Sequence, residues 1–373
     1  MLRMLAKFGP PLRQLTRRRC SSVLRGRRGV QQVHAAVQLL TPERLKTTLA
    51  STQFAPGVRS LSSAELDDDE PRLAYEMVQG PLARWTKRVP GQAPPTAVLV
   101  HGILGRRQNM QSFARMLAQG FPAWQILLVD MRCHGESAGL ANRPDGPHTV
   151  HSAAKDILLL LRELKLFPHV LIGHSFGGKV VMSMVEVFGT SQLPRPLQVW
   201  ALDSLPGEVR SGEGDGRDNP AQLIKLLKAL PLPITSRNDV INYLSHNGFS
   251  MPVARWAATN LRERGRRGPG LDWVLDLEGI GQMYDSYTHT PLWSLLERPP
   301  KGLKLDFVKA EHSTFRWGGP DEARITALGH QVHLLPRAGH WVHTDNPCGL
   351  FDILAPSFHC GVDLRQQRQA GRQ

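Results

Sequence analysis

A serine between glycines is the strongest chemical signal in the sequence. Residues 173–178 read GHSFGG, a G-x-S-x-G motif centred on Ser175, and residues 170–172 before them predict a strand. A tight turn from strand into helix needs these glycines and lifts the serine hydroxyl above the sheet edge. The N–H groups that follow lie at a helix N-terminus, which favours an oxyanion. The motif therefore predicts Ser175 as a nucleophile, with the Phe176 N–H as one oxyanion donor.

Two other interpretations fit the same residues. Gly173, Gly178 and Lys179 have the G-x-x-x-x-G-K spacing of a phosphate-binding loop, but Val180 follows where a Mg²⁺-binding Ser or Thr is needed. A glycine-rich turn with a purely structural role is the other alternative. The nucleophile interpretation is favoured over both, because neither of them needs a serine between the glycines.

A serine hydroxyl needs a base to become a nucleophile at neutral pH, and a histidine near the end of the chain is the best candidate. His340 follows residues 331–335, the last predicted strand, so it comes to the same sheet edge as Ser175. His343, three residues later, is the rival. The position just after the strand favours His340.

Two carboxylates are candidates for the acid that orients the histidine. Asp203 follows the predicted strand at 198–202, and Glu311 follows the one at 303–309. Either gives the chain order Ser, acid, His. The later strand is the more frequent place for the acid, but its usual pattern is Gly-x-x-Asp, and Ser313 stands where that Asp is expected. We therefore predict Asp203 and keep Glu311 as the alternative.

A second oxyanion donor is predicted in residues 101–105, HGILG, which follow the predicted strand at 96–100. Gly102 lets the backbone turn beneath the site, and the amide of Ile103 would join that of Phe176. Such donors lie about 2.7–3.1 Å from the developing oxyanion. Together these residues predict ester or thioester cleavage through an acyl-enzyme, which requires neither a metal ion nor an organic cofactor.

The elements that would position these residues alternate between strand and helix, which predicts an α/β protein with a mostly parallel, eight-stranded sheet and helices on both faces. Helical patterns occupy residues 108–118, 152–164 and 178–188. The eight predicted strands lie at 73–78, 82–89, 96–100, 125–129, 170–172, 198–202, 303–309 and 331–335.

A helical insertion interrupts this alternation after the sixth predicted strand. Residues 206–300 contain turns and helical segments, which predicts a cap over the carboxyl edge of the sheet. The cap divides the core into residues 73–205 and 301–360. A lead-in at 36–72 and a disordered polar tail at 361–373 complete the predicted domain order.

The basic charge of the chain is concentrated at its N-terminus. Lys and Arg number 46 against 32 Asp and Glu, and nine of the basic residues lie in residues 1–42, which contain no acid. An Arg-rich, acid-free segment is typical of an organelle transit peptide, here assigned to residues 1–35 and directing import into a mitochondrion or chloroplast. A basic arm for nucleic acid or anionic lipid is the alternative. No apolar run reaches the ~20 residues of a membrane helix, and we predict neither a transmembrane segment nor a nucleic-acid partner.

The cysteines predict no chemistry. None of the four forms a C-x-x-C pair, and their wide spacing fits neither a disulfide framework nor a zinc site. The sequence therefore predicts no metal site. The four residues are Cys20, Cys133, Cys348 and Cys360.

Four motifs in this order resemble the α/β-hydrolase superfamily: HG at 101–102, DMRCHGES at 130–137, GHSFGG at 173–178 and GH at 339–340. The resemblance covers residues 73–360 and is closest to the esterase branch that includes small bacterial acyl esterases and mitochondrial α/β-hydrolase domain proteins. It implies the α/β-hydrolase fold, an oxyanion donor at Ile103, a structural role for residues 130–137, and an acid after the sixth strand, which supports Asp203. The serine at position 313 and a larger cap depart from the family pattern.

The predicted function is that of a serine hydrolase acting on a small-molecule acyl ester or thioester. An acyltransferase or lyase on the same scaffold is one alternative, because fold alone does not determine the reaction. A non-catalytic binding protein of the same fold is the other.

Overall fold

A computed structural model describes residues 73–83, 94–140, 146–190, 196–209, 218–313, 317 and 319–370. The predicted transit peptide at 1–35 and the lead-in at 36–72 lie outside these residues. Among the residues described, no helix has both the length and the apolar character needed to cross a bilayer.

The central sheet is mostly parallel, as predicted. Its strand order is β1-β3-β2-β4-β5-β8-β9, and only the β1–β3 pair is antiparallel. The strands are β1 (Tyr75–Gln79), β2 (Thr96–Val100), β3 (Gln125–Val129), β4 (Pro168–His174), β5 (Gln198–Leu202), β8 (Lys304–Ala310) and β9 (Val332–Leu335).

The prediction of eight strands differs from this seven-stranded sheet of the described residues. The strand predicted at 82–89 is missing from the described part: residues 81–83 form a turn after β1, and residues 84–89 lie outside it. The insertion accordingly follows β5, the fifth described strand rather than a sixth. Pro81 follows β1 directly and has no N–H to continue the ladder, which explains why the chain turns away from the sheet edge there.

Helices cover both faces of the sheet because successive strand residues point to opposite sides. In β2, Val98 belongs to the buried cluster that includes residues of α2 (Val150–Glu163) and α3 (Phe176–Thr190), whereas Leu99 belongs to the cluster on the other face. That second face is covered by α1 (Arg107–Gly120) and α11 (Pro347–Ala370). The remaining core helices are α9 (Gly319–Ala327) and α10 (Val342–Asp345).

The end of the chain differs from the sequence prediction of a disordered tail at 361–373. Helix α11 continues through residue 370 and contains Pro356 in its interior. Residues 364–370 read LRQQRQA, and Leu, Arg, Gln and Ala are all good helix formers, so local propensity favours continuation of the helix.

The insertion between β5 and β8 contains five helices and a short hairpin in its described part. Four of the helices begin at a residue whose side chain accepts a backbone N–H from the first turn, which explains where they start: Asn219, Ser236, Ser250 and Asp276. The elements are α4 (Pro220–Ala229), α5 (Arg237–His246), α6 (Met251–Ala258), β6 (Leu261–Glu263), β7 (Leu271–Trp273), α7 (Leu277–His289) and α8 (Trp293–Glu297).

The hairpin of β6 and β7 is absent from the sequence prediction, which gives turns and helical segments here. Strands of three residues are too short to show a periodic pattern. Glycines with positive φ at 265, 268 and 270 shape its loop, and Arg264 and Arg267 both pair with Asp272.

Candidate active site

Ser175 occupies the turn between β4 and α3. Its φ of +53° is in the left-handed region, which is unusual for a residue with a side chain. The Ser175 N–H donates to the Leu202 carbonyl at 2.9 Å, and the Gly178 N–H donates to the Ser175 carbonyl at 2.8 Å. A Cβ at Gly173 would collide with the Gly177 backbone. The glycines of the motif therefore permit a turn that holds the serine in a strained conformation.

A cavity of about 640 Å³ opens over Ser175, a size typical of small-molecule sites. The core contributes the nucleophile and the histidine to its walls, and the cap contributes mostly apolar side chains. Residues on its walls include Ile103, Ser175, His340 and Trp341 from the core, and Leu223, Val253 and Trp256 from the cap.

His340 and Asp203 are in direct contact. His340 lies in the loop between β9 and α10, with its side chain 21% exposed, and its Nδ1 is 2.8 Å from Oδ2 of the fully buried Asp203. Asp203 follows β5 and has a φ of +45°, again in the left-handed region. With the Nδ1 hydrogen donated to the carboxylate, Nε2 is the nitrogen of His340 that can accept a proton.

Three further groups donate to the Asp203 carboxylate. The Ser313 hydroxyl donates to Oδ2 at 2.6 Å, the Trp317 indole donates to Oδ1 at 2.9 Å, and the Ala310 N–H donates to Oδ1 at 3.3 Å. These donors fix the carboxylate that faces His340. The residue that replaces the expected Asp at position 313 is thus a partner of Asp203 itself.

Glu311 lies away from this contact. Its Oε2 accepts the Arg337 N–H at 2.6 Å and is 3.6 Å from His312, and its side chain is 41% exposed. The structure thus brings Asp203, and not Glu311, to His340.

The rival His343 lies on α10 beside the motif histidine. It is buried, its ring is 5.1 Å from that of His174, and burial lowers its pKa to about 4. Nε2 of His174 is 2.7 Å from the carbonyl oxygen of His340. His174 has no predicted role, yet its contact with this carbonyl connects the nucleophile turn to the His340 loop. Its place as the first variable residue of G-x-S-x-G is the only sequence signal for this.

The loop after β2 comes close to Ser175. A Cβ at Gly102 would lie 3.1 Å from Nδ1 of His174 and 3.3 Å from the Ser175 Cβ, so a side chain here would crowd the nucleophile turn. The Leu104 N–H donates to Nε2 of His134 at 3.0 Å, and the Gly105 N–H donates to the Gly102 carbonyl at 3.0 Å. These two N–H groups are engaged, and the N–H groups of Ile103 and of Phe176 at the start of α3 stay the predicted oxyanion donors.

Asn260, a residue of the cap, also contacts the loop after β2. The Asn260 side-chain amide donates to the Leu104 carbonyl at 2.9 Å, and Asn260 is buried between α6 and β6. Leu104 has a φ of +59°. The backbone next to Ile103 is therefore fixed by contacts with both the core and the cap.

Two buried histidines, His101 and His134, accept backbone N–H groups in and around the loop after β2. Nε2 of His101 accepts the Met131 N–H at 3.1 Å, and Nε2 of His134 accepts the Leu104 N–H at 3.0 Å. An imidazolium could accept neither bond. Burial lowers the pKa of His101 to about 4 and that of His134 to about 3.

This arrangement predicts acid sensitivity of the fold. Because both pKa values lie below the ordinary 6.5, the unfolded chain binds more protons than the folded one between about pH 6.5 and pH 4. The free energy of unfolding therefore falls on acidification through this window, by up to about 1.4 kcal/mol per pH unit for each ring. Denaturant unfolding at pH 7 and pH 5 measures the slope. We expect His134→Gln to reduce this pH dependence of the free energy of unfolding. His289 is exposed, so His289→Gln is the control and should keep the wild-type slope. Equal slopes in the two variants would contradict the prediction.

Lys179, the lysine of the alternative phosphate-loop motif, binds backbone carbonyls of the insertion. Its buried ammonium donates to the carbonyls of Tyr287 at 2.6 Å and Thr290 at 2.8 Å, at the C-terminal end of α7. Burial lowers its pKa to about 7. This position caps a helix of the insertion and argues against the phosphate-loop alternative.

Residues 130–137 have the structural role that the resemblance implies. The Arg132 guanidinium donates to both oxygens of Asp156 on α2, at 2.6 and 2.7 Å, with both side chains buried. Asp130 pairs with Arg107 at the start of α1. The loop thereby links the end of β3 to two helices.

Comparisons with known proteins show the family to which the chain belongs. The sequence matches the alpha/beta hydrolase family over residues 97–353. The sn-1-specific diacylglycerol lipase ABHD11 of Mus musculus is 30% identical over 70% of this chain and 80% of its own length. An abhydrolase domain-containing protein of Schizosaccharomyces pombe is 32% identical over 74% of this chain and 93% of its own length.

A solved structure shows the same fold. A marine microorganism esterase superposes with a TM-score of 0.61 over 77% of this chain and 99% of its own, at 18% identity. The resemblance drawn from the four motifs is thereby confirmed. The family match spans more than half of the sequence, and the chain belongs to the alpha/beta hydrolase family.

Proposed function

We propose that this protein is a serine hydrolase that cleaves a carboxylic ester or thioester through an acyl-enzyme. The observation that carries the proposal is the 2.8 Å contact between His340 Nδ1 and the buried Asp203 carboxylate, beside a strained Ser175 in the same cavity. This arrangement supplies a nucleophile, a base and the group that orients the base.

The reaction proceeds in two halves. His340 Nε2 takes the Ser175 proton as the serine oxygen attacks the carbonyl carbon, and the amides of Phe176 and Ile103 hold the tetrahedral oxyanion. The leaving alcohol or thiol departs with the proton from His340 and leaves an acyl ester on Ser175. His340 then takes a proton from water, the hydroxide oxygen attacks the acyl carbon, and the carboxylic acid is released with Ser175 reprotonated.

The cavity favours an ester with an apolar acyl group. Leu223, Val253 and Trp256 of the cap and Trp341 of the core face the space above Ser175. Burial of an alkyl chain there is worth about 0.8 kcal/mol per methylene. The name of the mouse relative, a diacylglycerol lipase, points the same way. We therefore propose a lipid acyl ester as the substrate class.

Labelling with a fluorophosphonate probe tests the nucleophile. The probe should label the wild-type protein, and labelling should disappear in Ser175→Ala and in His340→Ala, provided both variants keep the wild-type melting temperature. Folded wild-type protein that resists the probe would favour the non-catalytic alternative.

A series of p-nitrophenyl esters tests the substrate class. We expect kcat/KM to rise with acyl length until the chain fills the cavity, and a decline from the shortest ester onward would contradict an apolar acyl site. Capture of the acyl group by an acceptor other than water would instead indicate an acyltransferase.

A further inference from the structure

Three side chains with metal-binding chemistry converge outside the Ser175 cavity. The Cys133 Sγ is 3.5 Å from Nδ1 of His148, and these atoms and a carboxylate oxygen of Asp276 all lie within 4.8 Å of one another. Cys133 and His148 are buried, and Asp276 is half-buried. This cluster, Cys133–His148–Asp276, contains a thiol, an imidazole and a carboxylate, the ligand types that zinc takes in proteins.

The three residues come from three separate segments. Cys133 lies in the loop after β3 with a φ of +64°, His148 precedes α2, and Asp276 is the N-cap of α7 in the insertion. A backbone bond from the Asp276 N–H to the Cys133 carbonyl, at 2.8 Å, holds two of the segments together. Non-glycine residues with a left-handed backbone, such as Cys133, are concentrated at active sites and ligand-binding sites.

The three side chains meet beside Gly279, on the side where any other residue would carry its Cβ. A Cβ at Gly279 would overlap the Cys133 Sγ and would lie 3.0 Å from both Oδ2 of Asp276 and Cδ2 of His148. Oδ1 of Asp276 accepts the Gly279 N–H at 3.2 Å. The Asp276 carboxylate therefore caps the helix and also has an oxygen within 4.8 Å of both the thiol and the imidazole.

The spacing of the donors suits a tetrahedral ion. Zinc–sulfur and zinc–nitrogen bonds of about 2.3 and 2.0 Å place sulfur and nitrogen about 3.5 Å apart, the separation found between Cys133 and His148. The thiolate excludes Mg²⁺ and Ca²⁺, which prefer oxygen ligands. His148 also lines a surface depression with Pro147 and Gln282, so one residue of the cluster borders an open part of the surface.

We propose that Cys133, His148 and Asp276 bind one zinc ion, with water as the fourth ligand, and that the ion joins the hydrolase core to the cap. Of the two sides, Cys133 and His148 belong to the core and Asp276 to the cap. The site is independent of the proposed ester hydrolysis. It also departs from the sequence prediction, because a ligand set spread over residues 133–276 has no local spacing motif.

Metal content of the purified full chain is the first test. We expect about one zinc per chain after dialysis, loss of that zinc in Cys133→Ser, and full retention in Cys348→Ser, a second cysteine that is not in a disulfide. Zinc kept by Cys133→Ser would place the ion elsewhere, for example at the histidines of the Ser175 cavity, and would overturn the proposal.

A second variant separates metal binding from folding. Asp276→Asn keeps a good N-cap for α7, so the fold is retained, but it removes the carboxylate ligand. We expect its zinc affinity to fall by roughly tenfold or more. An affinity equal to that of the wild type would contradict a ligand role for Asp276.

Two measurements on the wild-type protein complete the test. Cobalt added to metal-stripped protein should give a thiolate-to-cobalt charge-transfer band that Cys133→Ser lacks. Zinc at ~100 times its Kd should raise the melting temperature by on the order of 5 °C. If the metal-stripped protein shows neither effect, the cluster is a thiol–imidazole hydrogen bond and not a metal site.

Discussion

We expect Asp203→Asn to lower kcat for ester hydrolysis by about 10⁴-fold. The reason is the tautomer of His340, whose Nδ1 is 2.8 Å from the carboxylate. An amide N–H facing Nδ1 would make that nitrogen the acceptor, so Nε2 would carry the hydrogen and could not take the proton of Ser175. Steady-state kinetics on a p-nitrophenyl ester, with circular dichroism to confirm folding, measures the loss.

Glu311→Gln is the matched control for this substitution. The Glu311 carboxylate accepts the Arg337 N–H, and a Gln amide oxygen can accept the same bond. We expect its kcat to stay within about twofold of the wild type. The reverse ranking of the two variants would assign the acid to the later strand and contradict the role proposed for Asp203.

The largest expected effect on stability comes from Asp156→Ala. Arg132 donates to both oxygens of Asp156, and the two side chains are only 7% and 6% exposed. Without the carboxylate, a buried guanidinium is left without its counter-charge, which lowers the free energy of unfolding by about 3–5 kcal/mol. Urea denaturation followed by tryptophan fluorescence measures the change.

An exposed ion pair provides the comparison. Arg324 and Glu297 pair at 2.8 Å with side chains 48% and 45% exposed, and Glu297→Ala is expected to cost at most about 1 kcal/mol. The comparison of Asp156→Ala with Glu297→Ala shows how much of the stability loss depends on the burial of the ion pair. Similar losses in the two variants would show that the Arg132–Asp156 contact contributes no more than a surface pair.

The sequence predicted the parts of the candidate site that depend on where strands end. Ser175, Asp203 and His340 each follow a strand, and parallel strands bring their carboxyl ends to one edge. The choice between Asp203 and Glu311 could not be settled in this way, because both occupy such positions. It depends on side-chain direction, which Ser313 and Trp317 fix from more than 100 residues away.

Other features were missed because they depend on contacts distant in sequence. The contact of His174 with the His340 carbonyl links residues 166 positions apart, and the Asn260–Leu104 bond links residues 156 positions apart. In both cases a distant partner supplies what the local sequence does not contain. The hairpin of β6 and β7 was missed for a different reason, because its three-residue strands are too short to show a periodic pattern.

The bond from Asn260 to the Leu104 carbonyl connects the insertion to the core, which limits how freely the insertion can be exchanged between relatives. Asn260 also accepts the Val274 N–H through its carbonyl at 2.8 Å, so one residue joins the hairpin of the insertion to the backbone beside Ile103. An insertion anchored in this way is not an interchangeable module. A chimaera that receives the insertion of a relative would have to restore this anchor to keep the backbone beside Ile103 in place.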